Sequence, residues 1–393
     1  MRRFMLGLAG GAVLGYTFVR AREAVLELRT PAQPAAPDPA AYGKVRRALM
    51  LAGIARSFAS LAFAAYVAGP RLEPAPETPE PRARRLALLA SGIVGSTLLD
   101  LPGDFVEGFS LERRYGLSKQ RPAAWLRDRT KGLGVSIAIT LPLVELLATA
   151  IGRAPRRWPL VATLGTLPLL VLANVVAPTY IAPLFNSFEP IEGELAGEIR
   201  NLASRYGAGD ATILRVDMSR QTEKANAYVT GLFGTKRIVV GDTLLGHFEA
   251  RETLFVVAHE LGHYVARDVW RGVALAMAAA SVVFFGGRAI ADRPGRSLAT
   301  TAGLLRLSFA FSLLGTVAGP SLAAFSRGRE RAADRFAIEA THDAASGASA
   351  FRRLRERNLA EDEQPKWMEV LFASHPSLRS RIAALEAAGA TSG

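Results

Sequence analysis

Apolar stretches recur along the chain at about 4–19, 48–69, 86–103, 132–151, 159–178, 269–290 and 302–324, each long enough or nearly long enough to cross a bilayer. About 20 helical residues cover the roughly 30 Å of hydrocarbon in a membrane. The pattern therefore predicts seven spans and a mainly α-helical, polytopic, multi-pass integral membrane protein. The first run follows Met1-Arg2-Arg3 and so has the basic start and short apolar middle of a secretory signal. No small-x-small cleavage site precedes Arg20 and Arg22, so a retained anchor is the expectation.

Between the fifth and sixth runs the periodicity changes. Pro178, Pro183 and Pro190 break the helix before an amphipathic segment at about 191–206. Two extended stretches follow, "ATILRVDMS" and "ANAYVTGLFGTKRIVVGDTLL", and in the second "AYVTGL" and "KRIVVG" flank Phe233-Gly234-Thr235 as the arms of a β-hairpin. A small β-sheet is expected here. The organisation predicted is an N-terminal membrane region, 1–178, with five spans, and a second region, 179–393, with the sheet and two more spans (about 269–290 and 302–324). Pro/Ala/Glu linkers at 30–40 and 70–82 are the only low-complexity tracts.

Composition agrees with a membrane setting: half of the 393 residues are hydrophobic, and there is no cysteine. Disulfides and thiolate metal sites are excluded, so any metal must be held by nitrogen and oxygen. The net charge of +13 has no basic stripe interleaved with aromatics and no nucleic-acid motif beside it. It reads as inside-loop bias and contact with anionic headgroups of the lipid bilayer, with no nucleic acid as partner. If the first run starts outside, the loops at 20–47 and 109–131 face the cytoplasm with six and seven basic residues, against four in 70–85 and three in 152–158. The segment 179–268 and the chain after about 325 then share the cytoplasmic side. Arg56, Asp100, Asp104, Glu107, Glu145 and Arg306 lie in or beside the spans, where facing lipid is costly, so they should face one another or a hydrated interior.

Only five histidines occur, and two of them stand four apart in "FVVAHELGHYVARD", on a segment that reads as a helix from near Ala250. Residues four apart share a helix face, so His259 and His263 can present their rings to one Zn²⁺ ion, and Glu260 can reach a water beside it. Two structural histidines on an amphipathic helix are the alternative. A catalytic zinc takes three protein ligands. Val269 occupies the place where one zinc-protease class puts a third histidine, which excludes that class; in the other common arrangement a glutamate on a later helix completes the site. After the last apolar run comes "FSRGRERAADRFAIEA", where Glu330 is placed to be that ligand and Asp334, on the same face, to accept the free N–H of a ligand histidine. The alternative there is a solvated charged face.

With "HELGHY" and "SRGRERAAD" (326–334), the chain resembles the M48 family of membrane zinc peptidases. "LERRYGLSKQRPAAWLRDRTKG" (from 111) and "APTYIAPLFNSFEP" (177–190) narrow the resemblance to its Ste24-like, CAAX prenyl protease 1 branch, over most of the chain from about residue 45. The resemblance implies a gluzincin-type zinc peptidase domain, one zinc per chain held by His259, His263 and Glu330, and Glu260 as general base. It also implies that Asn226-Ala227 bind the substrate backbone on an edge strand, that His375 and Arg381 in "SHPSLRSRI" face the cleft, and that the spans enclose a chamber. An exposed edge suits an extended peptide or membrane-associated protein substrate.

The expected activity is zinc-dependent endopeptidase hydrolysis. Zinc lowers the pKa of its bound water, Glu260 takes the proton and hands it to the leaving amine, and His375 or Arg381 stabilises the oxyanion. A capping role in the last helix is the bland alternative for His375. The Ala/Arg/Gly-rich composition suggests a bacterial inner membrane. Two other readings are quality control of membrane proteins, as in HtpX-like relatives, and a non-catalytic scaffold; the intact set of chemical residues speaks against the scaffold.

Overall fold

The computed structural model describes residues 37–75 and 78–391, with a few isolated positions nearer the N-terminus. Among the described residues, six helices are long and apolar enough to cross a membrane: α1 (Pro39–Leu72), α2 (Arg82–Arg114), α3 (Pro122–Arg153), α4 (Trp158–Leu184), α7 (Asp268–Ala291) and α8 (Thr301–Thr341). These contain the six runs expected from residue 48 onward. The run expected at 4–19 falls almost wholly outside the described residues.

Between α4 and α7 the chain forms β1 (Phe188–Pro190), α5 (Glu194–Arg205), β2 (Thr212–Val216), β3 (Ala227–Thr230), β4 (Arg237–Gly241) and α6 (Ala250–Val265). After α8 come α9 (Ala344–Arg357), α10 (Lys366–Leu371) and α11 (Leu378–Thr391). The four strands lie in the order β1-β2-β4-β3, with β2 parallel to β4 and the two outer pairs antiparallel. The expected hairpin is β3–β4, turning through Phe233–Thr235 and leaving β3 on an edge. Gly231, at φ +85°, makes that turn possible, because a Cβ there would stand 2.1 Å from the Thr235 carbonyl oxygen. β1 was not anticipated: its three residues end on Pro190, which an edge strand tolerates because it needs no inward donor there.

The largest apolar cluster wraps α6. Phe255, Val257, Ala258 and Leu261 have no exposed surface and pack among Ile199, Leu202, Ile238, Val240, Ala337, Phe351 and Leu385 from the sheet and from α5, α8, α9 and α11. Burial on nearly every side fixes the rotation of α6, and with it the direction of each side chain it carries. α8 runs unbroken for 41 residues, so the last span and the segment carrying Glu330 and Asp334 are one rod. A second cluster, Ile151, Trp158, Leu298, Leu304 and Leu307, packs α3, α4 and α8.

The ionisable residues of the spans are largely paired. Arg56 meets Asp100, Arg306 lies 3.3 Å from Glu73, and Asp104 lies 3.6 Å from Arg129. Glu145 accepts three bonds from Arg85, at 2.7, 2.8 and 3.1 Å. A cavity of about 780 Å³ opens among α2, α3 and the 221–224 segment, lined by Asp104, Glu112, Gln120, Asp128, Arg129 and Lys224 among others.

Candidate metal centre and substrate cleft

His259 and His263 lie one turn apart on α6, with ring centroids 5.0 Å from each other. Their Nε2 atoms each stand 3.4 Å from a different carboxylate oxygen of Glu330, which α8 brings across from the other side. Ligand atoms of these three residues all fall within 4.8 Å of one another. Glu330 Oε2 is buried and accepts no hydrogen bond, although His375 Nδ1 is only 2.9 Å away, out of line for one. A buried carboxylate oxygen with nitrogens around it but no hydrogen bond made, facing two imidazoles, suits a divalent cation of the kind that nitrogen and oxygen ligands select.

The approach of α6 to α8 depends on Gly262, where an added Cβ would meet Ala333 Cα and Phe336 Cδ1 at 3.1 Å. Ala333 lies between Glu330 and Asp334. The helices therefore touch backbone to backbone at the level of the ligands.

Each histidine is oriented from behind. Asp334 Oδ1 lies 2.9 Å from His259 Nδ1, leaving Nε2 toward Glu330. Asp268 Oδ2 takes the same part for His263, 2.9 Å from its Nδ1. Fixing the ring and its tautomer in this way is the usual work of a carboxylate behind a metal-binding histidine. Asp268 is absent from the expectations; its signal was an acid five residues after His263, just past the turn in which Arg267 takes φ +54° and lets α7 begin. Arg381 grips Asp334 through two bonds, Nε to Oδ2 at 2.9 Å and Nη2 to Oδ1 at 2.6 Å, and its guanidinium sits over the Phe351 ring at 4.2 Å. Its Nη1 is 3.3 Å from Glu330 Oε2. The guanidinium is thereby committed to the carboxylates, while the His375 side chain is 62% exposed at the mouth of the site.

Glu260, His259 and Glu330 line a cleft of about 690 Å³ together with Asn226, Ala227, His375 and Arg381. The exposed Asn226 precedes β3 directly, and the buried Ala227 is its first residue. Burial pushes the Glu260 carboxyl above the ordinary carboxylate range, against the pull of the nearby His259 and His263. Burial acts to lower the His259 pKa, but the adjoining carboxylates of Asp334 and Glu330 outweigh it and hold the ring up at about 9. His263 is raised likewise, the bonds to Glu330 and Asp268 overcoming its burial.

Residues 191–388 match the model of peptidase family M48, and residues 47–187 match that of the CAAX prenyl protease N-terminal region, described as five membrane helices. A Bacillus subtilis metalloprotease, YhfN, is 31% identical over 297 residues, 73% of this chain and 70% of the relative. A CAAX prenyl protease 1 homolog of Oryza sativa is 30% identical over 313 residues, 77% of this chain and 73% of the relative. Among solved structures, Ste24p of S. mikatae superposes with a TM-score of 0.76 over 98% of this chain and 99% of that one, at 23% identity, a likeness of fold.

Proposed function

The chain belongs to peptidase family M48 and is a membrane metalloendopeptidase of the Ste24 type, and from that premise we propose how its residues divide the work. His259, His263 and Glu330 would hold one zinc ion. Zinc supplies a water acidified toward neutrality and a Lewis acid for the scissile carbonyl. Glu260, in the cleft and one residue from His259, takes up a proton as water adds to that carbonyl and delivers it to the leaving amine nitrogen. No covalent intermediate with the chain is needed.

Asp334 and Asp268 hold the two imidazoles in the tautomer that leaves Nε2 free of a proton. Arg381 is assigned to positioning rather than to the oxyanion, because its Nε and Nη2 bond Asp334 and its Nη1 faces Glu330 Oε2 at 3.3 Å. His375, exposed at the mouth, is the group left free to donate to the developing oxyanion. Asn226 and Ala227 present the edge of β3 to an extended peptide, by strand addition.

The substrate class is an extended segment of a peptide or membrane-associated protein. The Lys and Arg distribution supports placing the site on the cytoplasmic face of a bacterial inner membrane. The observation that carries the reading is the convergence of two imidazoles and one buried carboxylate beside Glu260 in a cleft with a strand edge. It is tested by zinc content and cleavage of a quenched peptide by detergent-purified wild type and Glu260→Gln. One zinc per chain in both, with turnover lowered about 10²- to 10⁴-fold in the variant, is expected; normal turnover in the variant removes Glu260 from its role.

A further inference from the structure

Where the substrate-binding edge stops is decided outside the sheet. Gly241 N–H donates to the Asn226 carbonyl at 2.9 Å, so Asn226 and Gly241 face each other as a bonded pair. Bonded and unbonded pairs alternate along an antiparallel ladder. With Ala227 opposite Val240 and Val229 opposite Ile238, the backbone groups of Ala227 and Val229 point away from β4, to the open edge. By the same alternation Ala225 is the next residue whose groups point outward.

Those groups are already taken. The Asn358 side chain accepts from Ala225 N–H at 2.9 Å and donates to the Ala225 carbonyl at 3.3 Å, the pair of bonds that a neighbouring strand would make. Both residues line the cleft. Asn358 is held in turn: it follows the last residue of α9, and Leu359 after it adopts φ +46° while its side chain packs with Tyr42, Leu49, Leu111 and Leu117 of α1 and the end of α2. A leucine tolerates the left-handed region only where packing over-determines it. On the other side, Lys224 reaches Glu112 at 2.7 Å and the Tyr42 hydroxyl at 3.0 Å, and its carbonyl accepts from Thr243 Oγ1 at 2.9 Å. Residues 224 and 225 are thus pinned to the membrane helices and to α9 at once.

We propose that the Asn358 carboxamide is a positioning residue that ends the substrate-binding edge at Ala227, by filling the outward backbone positions of Ala225. An extended peptide then pairs with Ala227 and Val229 alone before Gly231 closes the strand at its other end. The proposal rests on β3 being the strand that holds substrate.

The test is a set of quenched peptides of one sequence, each N-methylated at a single backbone nitrogen away from the scissile amide, assayed on wild type, Asn358→Ala and Asn358→Ser. N-methylation removes one peptide donor, and a lost hydrogen bond of ordinary strength lowers kcat/KM about fivefold. Wild type should show two sensitive nitrogens, two residues apart. Both variants, with zinc content unchanged, should gain a third, two residues beyond one end of that pair, because each frees the Ala225 carbonyl. The Ser side chain is too short to fill both Ala225 positions but keeps a polar group after α9, and so serves if the Ala variant does not fold. Two sensitive positions in wild type and the same two in the variants would overturn the role of Asn358 while leaving the edge reading in place. Three in wild type would also overturn it. No sensitive position in any of the three proteins would overturn the edge reading itself, and with it the proposal.

Discussion

Replacing Gly262 with alanine sets two effects against each other at the closest point between the helices that carry the metal ligands. Within a helix, alanine is favoured over glycine by about 1 kcal/mol, so the substitution on an open face would stabilise. Here the new Cβ would stand 3.1 Å from Ala333 Cα and from Phe336 Cδ1, and 3.3 Å from Ala333 Cβ. Backbone on one side cannot rotate away, so α6 and α8 must part by a few tenths of an ångström. Overpacking of this kind costs about 1–3 kcal/mol, which exceeds the helix gain. The separation also falls on the ligands, because Ala333 is three residues from Glu330 while Gly262 adjoins His263. Metal–ligand distances tolerate about 0.2 Å, so zinc affinity should fall by about tenfold. Competition with a chromogenic chelator reads the affinity, and thermal unfolding of the apo protein in detergent reads the stability. Gly197→Ala is the control: it lies within α5, nothing approaches its Cβ position within 4 Å, and it should raise stability by up to about 1 kcal/mol without touching zinc. A Gly262→Ala protein that binds zinc as tightly as wild type and unfolds at a higher temperature would show that α6 and α8 take up the added methyl without parting.

Asp334→Asn should lower zinc affinity or turnover by about 10- to 100-fold through loss of His259 orientation, and should destabilise the fold by leaving Arg381 buried without its carboxylate. Adding Arg381→Met should recover stability in a melting experiment but not zinc affinity; recovery of both would show that Asp334 has no orienting part. Zinc binding to the apo protein at neutral pH should release protons, read by calorimetry in buffers of different ionisation enthalpy, because His259 is held protonated up to about 9. The sign follows from the raised value: affinity climbs as pH rises toward 9. The stabilisation that the imidazolium gives the apo protein is fully present below about 6.5 and lost as pH passes 9.

The spans after residue 48 were legible because some twenty apolar residues in a row leave little choice of structure, and the HExxH helix because its two histidines share a face by spacing alone. Glu330 and Asp334 were legible as a pair for the same reason, but their joining to the last span was not, since the polar "SRGRER" looks like an end. β1 escaped because three residues ending on proline carry no alternation to read. Within its own segment Gly262 only lowers helix propensity, whereas its meaning lies in Ala333, 71 positions away in sequence. Asn358 could not be found at all from the chain: an asparagine after a helix signals a cap, and only the fold places Ala225 opposite it. Local periodicity is written in neighbouring residues, but contacts across the fold are not.

The continuity of α8 has a metric consequence. The apolar part of the helix ends near residue 324 and Glu330 lies six residues further on, about 9 Å along the axis at 1.5 Å per residue. The metal centre therefore stands at a set height above the hydrocarbon, on the same rod that crosses it. A chain anchored in the bilayer must pay out about three extended residues, at roughly 3.3 Å each, before its backbone reaches that height. Reach from the membrane then becomes a criterion of selection in its own right, independent of side-chain identity.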